Sequence, residues 1–338
     1  MKPSPPSAKS GRACSKGSKM TGIVTRRGLL AAVLSVPAVA RAQSRSVRVI
    51  VAYGAGGTAD TTARILFSRL NDVLGQQFVI ENRPGAAGTL AASAVARAMP
   101  DGTTLLHDAT AHSVNPSLFP RLPYDTRKDF APVFHAMVTP STLLANNLFA
   151  AKTVPELIAM AKAAPGSIDC ASPGIGSLQH MSLELLNRLA GIRINHIPYR
   201  EVAAGRNDVV AGRIPIMFSN VPGSMLFLGN GQARTLAHGG AEATVAVLPG
   251  VPAMKDSVPG FESYEWNGVF APAGTPAAEI RRLNEGLNKV IAEPATAERM
   301  AAIGCLVRPN TPEQFAASLD AEIEKWGRIV REGNIRIE

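Results

Sequence analysis

The chain has 338 residues, 46% hydrophobic and 18% charged, with 30 Gly, 25 Pro and three cysteines. That composition excludes a disordered or collagen-like chain and leaves room for about two ordinary domains. The formal charge of +9 sits at one end: residues 1–42 carry eight basic residues and no acid, leaving 27 basic and 26 acidic residues for the rest. A body so close to neutral offers nothing for phosphate neutralisation, which argues against a nucleic-acid partner.

Residues 1–42 read as a cleaved export signal. Arg26 and Arg27 precede an apolar run over 29–39, and Ala40-Arg41-Ala42 offers a small-x-small cleavage site before Gln43. The run is shorter than the roughly 20 residues of a membrane span. Paired arginines leave the general secretory and twin-arginine routes both open, and Met1 and Met20 are both possible starts. The expected location is the periplasm. Cys14 departs with the signal; Cys170 and Cys305 match neither a disulfide framework nor a metal-ligand spacing. No metal and no cofactor are expected.

In the mature chain, residues 47–52 form a short β-branched run broken by Gly54-Ala55-Gly56-Gly57, a strand and its turn. Ala63, Leu66, Phe67, Leu70, Val73 and Leu74 share one helical face, and Gly75 stops it. Residues 78–80 predict a second strand, 89–98 an Ala-rich helix and 103–106 a third strand. Such alternation predicts a mainly parallel sheet covered by helices. A second series starts near 146. Thr153-Val154-Pro155-Glu156 caps a helix to about 164, and residues 167–171 predict a strand. Leu178, Met181, Ser182, Leu185, Leu186 and Leu189 mark the next helix. Strands over 193–197 and 214–218 flank a short helix at 207–211. After about residue 265 the pattern turns helical: Ile280, Leu283, Leu287, Val290 and Ile291 share a face, and Thr311-Pro312-Glu313-Gln314 caps a last helix.

The loop after the first strand carries the strongest local signal. Gly54-Ala55-Gly56-Gly57-Thr58-Ala59 fits G-x-G-x-x-A, with Glu81 where a ribose-binding acid would stand. The underlying physics is broader: glycines let backbone approach an anion, and the N–H groups of the following helix face it. A carboxylate suits that geometry as well as a pyrophosphate does, and a plain βα turn is a third reading. The loop from Ser172 to Ser177 repeats the device with two hydroxyls, Ser177 standing at an N-cap position. The turn Asn82-Arg83-Pro84-Gly85-Ala86-Ala87-Gly88 adds a third glycine-rich strand end. Catalytic patterns are weaker. Gly174-Ile175-Gly176-Ser177-Leu178 is not G-x-S-x-G, and Ser177 with His180 reads as a cap and a structural histidine. Trp266 falls where the chain crosses between lobes, which suggests packing at a hinge.

From about Val47 onward the chain resembles the extracytoplasmic solute receptors of tripartite tricarboxylate transporters, the TctC or Bug-type family. The resemblance rests on an ordered set: Gly56-Gly57-Thr58-Ala59-Asp60-Thr61-Thr62-Ala63-Arg64, the 82–88 turn, Asp101-Gly102-Thr103-Thr104-Leu105-Leu106 and Asn115-Pro116-Ser117-Leu118. Gly174-Ile175-Gly176-Ser177 with His180 and Glu184, His196-Ile197-Pro198-Tyr199, Trp266-Asn267-Gly268 and Ala271-Pro272-Ala273-Gly274-Thr275-Pro276 complete it. It implies an α/β, two-lobed periplasmic binding-protein fold (type II-like). Each lobe would be a mainly parallel sheet flanked by helices, the two joined by two crossover segments. The expected lobes are residues 43–145 with 267–338, and 146–266.

The resemblance further implies that a small organic anion (dicarboxylate, amino acid or aromatic acid) is held in the interlobe cleft. Its nominated ligands are Tyr53, Gly54, Ala55, Gly56, Gly57, Thr58, Ala59, Asp60, Ala86, Ala87 and Gly88. From the second lobe come Ser172, Gly174, Gly176, Ser177 and Tyr199. His107, unusual for the family at its strand end, is expected to face the cleft. Other departures are Gly54 and Ala55 in place of prolines, Arg200 and Glu201 after Pro-Tyr, and Pro215. The implied role is that of a monomeric receptor, not an enzyme, delivering its ligand to membrane permease subunits. Two alternatives stand beside it: an exported dinucleotide-dependent oxidoreductase using the 54–59 loop, and a sensor presenting ligand to a signalling partner.

Overall fold

Every second residue of β1 (Val47–Val51) faces the same way, and apart from Arg48 near its start the strand is buried on both faces. In the computed structural model, which describes residues 46–199, 202–228, 231–243 and 245–337, Val47, Val49 and Val51 pack against α1 (Thr58–Leu74) and α8 (Ala277–Ala292). Ile50 and the following Ala52 pack the other way, against α2 (Thr89–Ala96) and α10 (Pro312–Glu332). A continuous β-branched run is what a strand covered on both sides requires. The export signal with its twin arginines and cleavage site lies outside the described residues, as do Arg200 and Glu201.

β1 pairs in parallel with β2 (Phe78–Asn82) and with β3 (Thr104–Ala109). β9 (Tyr264–Pro272) then runs antiparallel to both β3 and β4 (Phe130–Asn146). The 17-residue β4 continues past β9 to pair antiparallel with β7 (Ile216–Asn220) and β8 (Ala233–His238). Beyond β7 lie β5 (Asp169–Ser172) and β6 (Asn195–Pro198), again parallel. The strand order is β2-β1-β3-β9-β4-β7-β5-β6, with β8 on β4. The outer strands are parallel, as the alternation predicts, while the middle of the sheet is antiparallel.

Two long strands are absent from the sequence-based expectation. Residues 264–272 are strand, and the helical region begins only at Ala277. β4 contains Pro132 and Pro140, and its register shifts near 132–134 and 135–137 break any period-two pattern. The helices α3 (Ala111–Leu118) and α7 (Val221–Leu228) and the strand β8 are additional. Helix termini follow local chemistry more closely. Thr311 and Gln314 form a full capping box on α10, and Gly75 ends α1 at φ 60°. Thr153 accepts from the Glu156 N–H to start α4 (Val154–Ala163), but the Glu156 carboxylate turns to the Lys152 N–H.

Trp266 is 3% exposed and packs β9 against α10, its ring centroid 5.9 Å from that of Phe315. Cys170 and Cys305 are free and buried, with both thiols pushed up to about 12 chiefly by burial.

Candidate ligand-binding site

Two loops stand beyond the carboxyl ends of β1 and β2, where ligands of parallel sheets bind. The first enters α1 through Gly57, which is extended (φ −75°, ψ 171°) and supplies no side-chain cap. The first-turn N–H groups and the positive end of the helix dipole therefore face outward without an internal acceptor from a side chain. The second loop is stranger. Gly85, Ala86, Ala87 and Gly88 all have positive φ (134°, 47°, 51° and 84°), and α2 then starts without a side-chain cap. A left-handed alanine costs roughly 1–2 kcal/mol, so this turn is held by its surroundings. Asn115 donates its Nδ2 to the Ala87 carbonyl at 2.9 Å. At Gly88 a Cβ would stand 3.0 Å from Asp108 Oδ1 and 3.3 Å from the Ala52 Cβ. The Gly88 N–H closes the turn on the Gly85 carbonyl at 3.0 Å, and a turn of this kind ahead of an uncapped helix suits an anion at its remaining main-chain N–H groups.

Asn82 fastens the loops together. Its Nδ2 donates to the Tyr53 carbonyl at 3.0 Å and to Asp60 Oδ1 at 2.9 Å. Asp60 is buried, and its Oδ2 accepts from the Gly56 N–H (2.9 Å) and Arg64 Nε (3.0 Å). Burial pushes this carboxyl upward, but the hydrogen bonds from Arg64, Gly56 and Asn82 outweigh it and hold it below the ordinary range. The Gly56 N–H is thus already spent, and the donors left for a ligand follow Gly57. The Tyr53 hydroxyl engages Asp108; burial, Asp108 and Glu265 together raise its pKa well above the usual value. The acid at Glu81 is bound by Arg83 at 2.6 Å and Arg48 at 3.7 Å, so it stands as a surface ion pair.

The expectation that His107 faces the cleft is not met. Its side chain is 0% exposed, 3.3 Å from Thr62 Oγ1 and edge-on to Phe67 beneath α1. β3 is covered on both faces, so a residue inside it packs against a helix wherever it points.

In the second half of the sheet, Ser177 caps α5 (Leu178–Ala190): its Oγ accepts from the His180 N–H and donates to the Gly174 carbonyl. Ser172 Oγ is 2.5 Å from His196 Nε2 and accepts from the Gly174 N–H. Gly176, at φ 81°, packs on α3, where a Cβ would collide with the Leu118 side chain. Tyr199 donates its hydroxyl to Asp208 at 2.7 Å and lays its ring over Gly205. All three hydroxyls are engaged: Ser177 within its own loop, Ser172 with His196 of β6, and Tyr199 with Asp208. The His180 and His196 rings stack at 3.9 Å, and burial followed by the His180 charge lowers His196 to about 3. Glu184 faces His180 Nε2 at 3.6 Å. Ser172 and His196 are therefore given no orienting carboxylate among the described residues, and no nucleophilic triad forms there.

Side chains that the sequence did not single out make the contact to the first half. Asn220, the last residue of β7, donates its Nδ2 to Thr58 Oγ1 (3.1 Å) and to Glu265 Oε2 (2.8 Å), while its Oδ1 accepts from the Gly223 N–H. Gln179 Nε2 reaches the same Glu265 oxygen at 3.4 Å. Arg206, on α6 (Val202–Val210), has a sealed Nε with no partner among the described residues, and its terminal nitrogen lies over Gly223. The available signal was a polar amide closing an apolar strand; it is faint because strand ends are often polar.

The family described as "Tripartite tricarboxylate transporter family receptor" matches residues 62–335. A UPF0065 protein of Bordetella bronchiseptica is 37% identical over 307 residues, covering 90% of each chain. The solved structure of R. palustris Rpa4515 with adipate is 30% identical with a TM-score of 0.81, covering 87% of this chain and 99% of that one. The periplasmic binding protein BugD is also 30% identical, with a TM-score of 0.78 over the same shares.

Proposed function

The chain belongs to the tripartite tricarboxylate transporter receptor family, and from that premise we propose that it captures a small organic carboxylate in an interlobe cleft. The family consists of periplasmic solute-binding receptors. In this reading residues 43–145 with 267–338 form one lobe, 146–266 the other, and β4 and β9 are the crossovers. Residues 1–42 export the chain, and membrane permease subunits receive the ligand. No bond is made or broken.

One observation carries the reading: two helix N-termini without side-chain caps, α1 and α2, follow the carboxyl ends of the neighbouring strands β1 and β2, and Asn82 at the start of the second loop bonds Tyr53 and Asp60 of the first. Main-chain N–H groups there hold the carboxylate, and the Thr58 hydroxyl, already accepting from Asn220, has its proton free to donate to it. Asn220 then joins ligand-bearing loop and second lobe, so occupancy favours the closed state. The adipate held by the R. palustris relative supports the ligand class. For the dinucleotide reading, the Asp60 carboxylate inside the loop and the ion-paired Glu81 are both unfavourable.

The test is a thermal-shift panel of dicarboxylates, amino acids and aromatic acids on the purified mature chain. A ligand at a hundred times its Kd stabilises by about 2.7 kcal/mol. Stabilisation by at least one class is expected. A flat panel, or nicotinamide or flavin absorbance in the purified protein, would overturn the proposal.

A further inference from the structure

Glu265 is a half-buried carboxylate beside the first-half loops that forms no ion pair among the described residues. It projects from β9, one oxygen accepting from Asn220 and Gln179, and no Lys, Arg or His of the described residues comes within 4 Å of it. Tyr53 and Arg206 both feel its charge, so it lies between the first-half loops and α6. Arg206 is the nearest cation acting on it, yet the two form no ion pair. The other Glu265 oxygen has no partner among the described residues. A half-buried carboxylate left this way gains from a cation or donor that reaches it. Burial accordingly raises the Glu265 carboxyl, against the opposing pull of Asn220, Gln179 and Arg206.

Asn220 sets the spacing. A single amide nitrogen, Nδ2, bonds both Thr58 Oγ1 and Glu265 Oε2. Thr58 Oγ1 and Glu265 Oε2 are thus separated by one bridging nitrogen, which brings Glu265 into the neighbourhood of an acid held at the α1 N-terminus beside Thr58. A second carboxylate at that point would meet a like charge, whereas an ammonium would meet its complement.

We propose that Glu265 receives the ammonium group of the ligand, making this receptor selective for amino acids over the plain acids of the same skeleton. The inference rests on the carboxylate-receptor reading above and goes beyond it by naming the group that decides selectivity. Arg206 remains available to an anionic group farther along the ligand.

Three matched pairs differing by one ammonium test it: aspartate and succinate, glutamate and glutarate, phenylalanine and 3-phenylpropionate. Calorimetric titration of the wild type is expected to show at least one amino acid bound tenfold or more tighter than its partner. In Glu265→Gln, whose folding is checked by its melting curve, that amino acid weakens at least tenfold while the plain acid holds or tightens. Equal or stronger binding of the plain acids by the wild type would overturn the proposal. So would equal weakening of both pair members in Glu265→Gln. A Glu265→Gln effect copied by Arg206→Met, with no added loss in the double variant, would mean that the two side chains pair with each other and would also overturn it. If no acid of either kind binds the wild type, the receptor reading itself falls.

Discussion

The Asn220 side chain donates to Thr58 Oγ1 at 3.1 Å, joining the end of β7 to the first turn of α1 across 162 residues of chain. It is a contact between the two halves of the sheet that depends on a particular amide, since the same nitrogen also serves Glu265 at 2.8 Å. Replacing Asn220 with Ala removes both bonds and leaves Glu265 with one weaker donor. Hydrogen bonds to charged groups are worth about 1.5–3 kcal/mol, so ligand affinity is expected to fall about tenfold to a hundredfold. Titration calorimetry checks this, and an unchanged Kd would remove Asn220 from the closure.

Two positions of the left-handed turn are expected to respond with opposite signs. Gly88→Ala puts a Cβ against Asp108 and Ala52 at φ 84° and is expected to destabilise by about 2 kcal/mol. Ala86→Gly relieves a strained, exposed alanine and is expected to be neutral or to stabilise by up to about 1 kcal/mol. Urea denaturation of both variants decides it; equal losses would mean that the turn is not strained.

Burial lowers His107 to about 4, from an ordinary value of 6.5. The unfolded chain therefore binds a proton that the folded chain refuses at any pH between those values. Stability is full above pH 6.5 and is lost as pH falls through the window toward 4, by up to about 3 kcal/mol. His135, also near 4 through burial, steepens the same fall. The expected result is a melting temperature that drops most sharply between pH 6.5 and 4, with a shallower slope in His107→Gln. An unaltered slope in that variant would show that His107 is not responsible.

Cys170 and Cys305 are sealed in the core with thiols near 12, so neither forms thiolate at neutral pH. A thiol reagent is expected to leave both unlabelled in the folded mature protein and to label both in denaturant. Rapid labelling of either in the native state would contradict the packing.

How much of this was readable beforehand depended on how local the determinants are. The faces of α1, α5 and α8 follow from 3.6-residue spacing, and Gly75, Ser177 and Thr311 set ends of α1, α5 and α10 by acting on neighbouring backbone. β4 and β9 were invisible because burial on both sides erased alternation and Pro132 and Pro140 mimicked loop. The two first-half loops were legible from their glycines. The roles of Asn220, Gln179, Arg206 and Glu265 were not, since each depends on pairing residues dozens of positions apart, which one-dimensional spacing does not encode. Ser172 and Ser177 looked like ligand donors for the complementary reason: a hydroxyl in a glycine loop reads the same whether it serves the loop or a guest.

In the proposed complex the acid is held by main-chain N–H groups after Gly57 and by those of Ala86 and Ala87, the Gly88 N–H being bonded to the Gly85 carbonyl at 3.0 Å. A crystal structure with the tightest carboxylate from the panel tests it most directly. Carboxylate oxygens are expected about 3 Å from those N–H groups, with the Thr58 hydroxyl donating to one of them. A ligand seated elsewhere, with both turns open to bulk water, would contradict it.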